Sequence, residues 1–430
     1  MEKEKFVRST VILIIGGFIT KLLGMIIRVI TTRLVGEEGI GIYMLIMPTF
    51  FLFITLAQLG FPIAISKLVS EGTKDNKKIV LSIIPISLIL NIILIIVILI
   101  LAPVLSKVLL NDERTLFPLM AISIILPFIS ISSIIRGYFF GKERMIPHTV
   151  SQIIEQVTRL IIMIILIPIF LKHSLISAII GIILVNAISE ICSIIVLIFY
   201  LPKKIRIKMN DFVPKSSILK EVLNIGVPTT GSRLIGSFGY FLEPILLTQA
   251  LLYIGYSNNY IVLEYGILTG YVFPLLLLPG FFSQAIASAL LPVISNNYVR
   301  GKKKYVIKKI KQGVLFSLLI GLLFSLFLFI KPNYLLNLLF NTNKGVEYIR
   351  ILIPFFLIFY IQTPLTSSLQ AMGKAKDAMM GTFYGMIVKT TFIFILSLLK
   401  IGMYGFLIGS AFNIFIVTIN HYLKLKKHLS

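Results

Sequence analysis

The sequence holds a single cysteine, Cys192, among 430 residues. That excludes an intrachain disulfide framework, and its place inside an apolar segment makes it a small core residue. Four histidines lie scattered along the chain, so no metal-ligand framework and no bound metal are expected. Enzyme signatures are missing too: there is no P-loop, no HExxH and no GxSxG, and Gly137–Lys142 lacks Walker spacing. No catalytic residue, no cofactor and no ATP hydrolysis by the chain itself are expected. Charge is scarce, with only 13% of residues being Asp, Glu, Lys or Arg, which excludes an ordinary soluble domain. Short alternating strands are missing: runs such as LSIIPISLILNIILIIVILILAP do not alternate, which excludes a transmembrane β-barrel.

What is present is apolar length. The composition is 57% hydrophobic and the mean hydropathy is +0.99. Long apolar runs separated by short basic stretches predict an all-α polytopic membrane protein. Twelve spans are read, near 9–34, 40–66, 79–108, 115–140, 149–171, 175–201, 219–252, 262–295, 313–331, 346–371, 379–400 and 403–424. The opening MEKEKFVRS leads into a span too long for a signal-peptide core, so the first helix is expected to be retained.

Acid is in short supply, 17 residues against 41 basic ones, and the net charge is +24. Such an excess can mark a nucleic-acid protein, but here the cations recur between spans. Counted by side, 28 Lys and Arg fall on the side of the N-terminus and 8 on the other; five, Lys21, Arg28, Arg159, Arg233 and Lys389, fall inside spans. The bias predicts a plasma-membrane protein with both termini cytoplasmic and no nucleic-acid partner. The densest basic run, RGKKKYVIKKIKQG (300–313), suits anionic phospholipid heads.

The two halves of the chain resemble each other. TKLLG (20–24) matches SRLIG (232–236), and Glu38, Pro48 and Gln58 match Glu264, Pro274 and Gln284. APVLSKVLLN (102–111) matches KPNYLLNLLF (331–340), and Gly141-Lys142 matches Gly373-Lys374. The matches run in order with slowly growing offsets. They predict two six-helix lobes of the same orientation, 1–208 and 218–430, joined by a cytoplasmic linker at 209–217 within the polar stretch 202–217.

The repeat aligns Lys21 with Arg233, so each lobe carries a cation at one depth of its first helix. Lys21 and Arg28 are seven residues apart and share a helix face. A charge at the bilayer centre costs at least about 2.5–3.5 kcal/mol, so these cations are expected to face a wet cavity. Lys21, Arg28 and Arg233 are read as an anion site; a structural ion-pair network with Glu190, Glu243 or helix-end carbonyls is the alternative. Lys389 is a further cavity candidate. Glu155 and Arg159, at i and i+4, read as an intrahelical pair. Glu190 lacks an opposite charge nearby in its helix and reads as a proton-linked acid or a partner across helices. Pro48, Pro127, Pro274 and Pro364 are expected to kink or break helices near the cavity. The Gly137/Gly141 and Gly405/Gly409 spacings read as close helix packing.

The stretch KLLGMIIRVITTRLVGEEGIGIYMLIMPTFFLFITLAQLGFPIAISKLVSE (21–71) resembles the first two spans of the stage V sporulation protein B family, as does RGYFFGKERMIPHTVSQIIEQVTRL (136–160). LQAMGKAKDAMMG (369–381) is similar to the matching segment of its second lobe. That family belongs to the multidrug/oligosaccharidyl-lipid/polysaccharide (MOP) superfamily, with lipid II and polysaccharide-repeat flippases. The resemblance implies a MATE-like fold with a V-shaped central cavity. It implies export of an undecaprenyl-diphosphate-linked glycan or peptidoglycan precursor for cell-wall polysaccharide or spore cortex during sporulation, beside cell-wall synthesis enzymes. It gives Lys21, Arg28 and Arg233 the anionic head group. The chain ends at Ser430 after span 12, whereas lipid II flippases, and usually the sporulation proteins, carry two more helices, which in lipid II flippases shape a groove for the lipid tail; length alone suits a polysaccharide-repeat flippase better. Two other readings stay open: a cation antiporter coupled through Glu190 or Glu243, and a non-transporting scaffold for cell-wall enzymes.

Overall fold

The computed structural model describes residues 2–72, 75–202, 211–213 and 216–429. Of the linker read at 209–217, residues 209, 210, 214 and 215 lie outside the described residues. Those described form helices and turns, with no strand among them. The long apolar runs account for this: backbone groups in lipid must bond within their own segment, and a helix does that. The helices are α1 (Glu2–Gln58), α2 (Phe61–Glu71), α3 (Asn76–Val104), α4 (Leu116–Gly141), α5 (Met145–Leu171), α6 (Leu175–Phe199), α7 (Ser216–Tyr253), α8 (Asn258–Gly266), α9 (Phe273–Leu277), α10 (Gly280–Val299), α11 (Lys303–Ile330), α12 (Pro332–Phe340), α13 (Val346–Ala371), α14 (Ala375–Ser397) and α15 (Tyr404–Leu429).

Among the described residues, eleven helical runs are long and apolar enough to cross a membrane. The first, Ile15–Glu71, is 57 residues long. It holds two of the spans read from the sequence, because α1 breaks at Gly36 (φ 68°, ψ −170°). The Arg28 Nη2 lies 3.2 Å from the Met44 Sδ. Sixteen residues of straight helix would set them about 24 Å apart, so the chain doubles back at Gly36. Only glycine takes this backbone conformation readily.

Pro48, Pro127 and Pro364 sit inside helices that continue past them, so none of the three breaks its helix. The break after α1 falls instead at Leu59 and Gly60, both at positive φ. The span read at 262–295 is interrupted at Leu278–Pro279, after a π-helical turn (Ile267–Val272) that ends just before Pro274. Side-chain caps support the starts of α3 and α6: Asp75 accepts from the Lys77 amide, and Ser174 and Ser177 form a reciprocal capping box.

The chain divides into two compact units, Met1–Phe241 and Leu242–Ser430, the boundary falling inside α7. In the first unit α4 packs against α2, α3 and α6, and α5 against α1 and α6. Gly137 and Gly141 of α4 lie so close to α2 that a Cβ would meet the Pro62 and Ser66 carbonyl oxygens at 2.8 and 2.6 Å. One core gathers Phe61, Ile65, Ile83, Ile134 and Val222. In the second unit α13 packs against α10, α11 and α15, and α14 against α15. The Tyr360 hydroxyl donates to the Leu276 carbonyl at 2.7 Å, bonding α13 to the end of α9. The two glutamates matched by the repeat are both anchored at a helix start: Glu38 by Arg114 within the first unit, and Glu264 by the Tyr348 hydroxyl at 2.6 Å within the second.

Candidate functional site

The first unit encloses a cavity of about 420 Å³. The doubled-back α1 supplies Gly24, Arg28, Thr31, Tyr43, Met44 and Gln58; α4, α5, α6 and α7 add Arg136, Glu155, Arg159, Asn186, Glu190 and Tyr240. The site is built by apolar helices that each carry a few polar residues on an inward face. Three guanidiniums and two carboxylates therefore share one space.

Of the sequence candidates, Arg28, Glu155, Arg159 and Glu190 line this cavity. Lys21 and Arg233 do not line it, and both side chains are exposed. Helical spacing nonetheless relates them to it. Lys21 precedes Gly24 and Arg28 on one face of α1. Arg233 precedes Ser237 and Tyr240 on one face of α7, where the Ser237 and Thr55 hydroxyls are 2.9 Å apart. Both lie about two turns before the lining residue of their helix.

The carboxylates are held by arginines. Arg159 Nη2 reaches Glu155 Oε1 at 2.6 Å, the intrahelical pair expected from spacing. Arg136 extends that pair into a network. Its Nη2 meets Glu155 Oε2 at 2.8 Å, Glu190 Oε1 at 3.3 Å and the Ser193 hydroxyl at 2.8 Å. The Ser132 hydroxyl also donates to Glu190. Glu190 thus finds its opposite charge on another helix. The Nε–H groups of Arg136 and Arg159 are buried and have no hydrogen-bond partner. Tyr43 sits within electrostatic reach of both Arg28 and Arg159.

The sequence alone does not single out Arg136, because it falls one turn from the end of span 115–140 and reads there as a loop cation. It belongs to α4. Its position inside the RGYFFG stretch was the available signal.

The remaining candidates, Lys389 and Glu243, meet each other in the second unit. Their Nζ and Oε1 are 2.7 Å apart, and Lys389 Nζ lies 5.3 Å from the centre of the Phe406 ring. This is a buried pair between α14 and α7. Among the described residues no group of three His, Cys, Asp or Glu side chains is placed to hold a metal.

Chemically, a cavity with more guanidinium than carboxylate suits an anion, above all a phosphate that arginine can grip at two oxygens.

Residues 6–298 match the model of a family described as polysaccharide biosynthesis protein, and residues 269–395 match the MatE model. The chain is 36% identical to stage V sporulation protein B of Bacillus subtilis (strain 168), over all of this chain and 85% of the relative. It is 23% identical to lipid II flippase MurJ of the same organism, over 90% of this chain and 76% of the relative. A solved inward-facing MATE family multidrug resistance transporter of the MOP superfamily superposes with a TM-score of 0.74 at 18% identity, covering 95% of this chain and 94% of that one. An outward-facing one gives 0.64 at 17% identity, covering 99% and 96%. These likenesses show the fold.

Proposed function

Because the chain belongs to the polysaccharide biosynthesis protein family, we propose that this multi-pass membrane protein is an exporter that moves an undecaprenyl-diphosphate-linked saccharide from the inner to the outer leaflet. It acts as a transporter and not as an enzyme. The observation that carries the reading is the cavity in which Arg28, Arg136 and Arg159 gather inside membrane-spanning helices. Guanidiniums at that depth replace the water that a phosphate loses. Lys21 and Arg233 receive the head group before Arg28. The cargo is a cell-wall or spore-cortex precursor, in keeping with relatives named as a sporulation protein and a lipid II flippase. The transport is read as alternating access. The protein resides in the plasma membrane with cytoplasmic termini, its basic loops against anionic phospholipid and its outer end near cell-wall synthesis enzymes.

The field across the membrane sets the direction. With the cell interior negative, each negative charge carried out gains about 2.3 kcal/mol per 100 mV. Two charges gain about 4–5 kcal/mol, enough to bias export without nucleotide.

A cation antiporter needs a carboxylate open to its cargo. Glu190 is held by Arg136 and Glu243 by Lys389. The test is flipping of a fluorescent undecaprenyl-diphosphate sugar in proteoliposomes. The proposal expects flipping by the wild type; no flipping, together with ethidium export in cells, would favour the antiporter.

A further inference from the structure

Glu155 holds two arginines at once. One oxygen takes Arg159 at 2.6 Å and the other takes Arg136 at 2.8 Å. A carboxylate gripped this way has the shape and charge of a bound phosphate: two oxygens, each facing a guanidinium from a different helix. The arrangement leaves the Nε–H of both arginines buried and unmatched. Each of these guanidiniums therefore still has donors to give. Glu190 is anchored separately, by Ser132 and by the same Nη2 of Arg136. Arg28 on α1 and Tyr43 line the same cavity.

We propose that Arg136 and Arg159 form a second phosphate subsite, and that Glu155 is its resident competitor, displaced when cargo binds. The inference rests on the head-group reading above and deepens it. Arg28 takes one phosphate and the Arg136/Arg159 pair takes the other, so the cavity reads a diphosphate and not a single phosphate. The competitor has a use. A transport site must bind firmly enough to load and weakly enough to release. Glu155 keeps the arginines in place while the cavity is empty, and returns to them as the diphosphate leaves. No bond is made or broken; one anion exchanges for another on two fixed cations.

The structural alternative is that the network merely stabilises the first unit. The two differ in sign. Removing one member of a purely structural buried pair destabilises it, because the partner charge is stranded, and does nothing for a ligand. Removing a competitor tightens binding.

The experiment is calorimetric titration of the purified full-length protein in detergent with inorganic pyrophosphate, farnesyl diphosphate and orthophosphate. Wild type is expected to prefer both diphosphates over orthophosphate. Glu155→Gln is expected to bind both about tenfold tighter, and in proteoliposomes to flip the undecaprenyl-diphosphate lipid more slowly because release is delayed. Arg159→Gln is expected to lose the preference for diphosphate. An unchanged or weaker diphosphate affinity in Glu155→Gln overturns the proposal. If that variant does not fold, Arg159→Gln decides alone: a retained preference overturns the proposal. If the binding pattern holds while wild type flips nothing, the subsite stands and the transport reading falls. If wild type flips but Glu155→Gln binds no tighter, the transport reading stands and the competitor role falls.

Discussion

Arg136 of α4 and Glu155 of α5 are joined at 2.8 Å, Nη2 to Oε2, on the wall of a cavity enclosed by membrane helices. Both side chains are mostly withdrawn from solvent, 16% and 10% exposed. An ion pair in such surroundings is costly to assemble and more costly to halve.

Arg136→Gln therefore leaves Glu155 and Glu190 undercompensated. The expected loss of stability is about 3–5 kcal/mol, as for other buried pairs broken on one side. Thermal unfolding of the detergent-purified protein checks this. Arg136→Gln combined with Glu190→Gln should recover part of the loss, whereas purely additive losses would show that the residues do not act as one network.

The Lys389–Glu243 pair makes a second case, in the other compact unit. Lys389→Met alone should cost about 3 kcal/mol or more, because a buried carboxylate is left behind. Lys389→Met with Glu243→Leu should come back close to wild type, since an apolar pair of similar size is well tolerated in such sites. Unfolding midpoints of the two single variants and the double variant decide it.

Close backbone approach gives a third expectation. A Cβ on Gly226 of α7 would lie 2.5 Å from the Leu59 carbonyl oxygen, at the break between α1 and α2. Gly226→Ala must push these segments apart, and overpacking of this kind costs about 1–3 kcal/mol. A lowered unfolding midpoint is expected, with Gly231→Ala, where a Cβ meets nothing within 4 Å, as the matched control.

Orientation is open to direct labelling. In a Cys192→Ser background, a cysteine at Lys302 should react with a membrane-impermeant maleimide only in inverted vesicles. A cysteine at Asn343 should react in intact cells. The reverse pattern would overturn the topology drawn from the basic loops.

Much of this architecture was legible in the sequence because hydropathy is a one-dimensional signal. Apolar runs of twenty or so residues have one stable form in lipid, and the basic loops punctuate them. The doubling back at Gly36 sat between two such runs. The polar contacts were not legible to the same degree. Arg136 meets Glu155 nineteen residues on and Glu190 fifty-four residues on, and Lys389 meets Glu243 at a separation of 146. Such pairings are set by how helices pack, and no local pattern encodes them. Only Glu155–Arg159, one turn apart, could be read from spacing. Pro48, Pro127 and Pro364 do not break their helices, since a membrane helix tolerates the missing donor when the freed carbonyl is satisfied by its surroundings; breaks fall at Gly60 and at Pro279.

The proposed transport depends on cations carrying an anionic head group through the membrane, with Lys21 and Arg233 on the approach to Arg28 in the cavity. The most direct measurement compares initial flipping rates of a fluorescent undecaprenyl-diphosphate sugar in proteoliposomes, under an imposed potential, for wild type and for Lys21→Ala/Arg28→Ala/Arg233→Ala. The triple variant is first shown to insert and to elute as the wild type does. A loss of at least about tenfold in rate, equal to roughly 1.4 kcal/mol of barrier, is the predicted result. Equal rates would contradict the account and make those three cations structural.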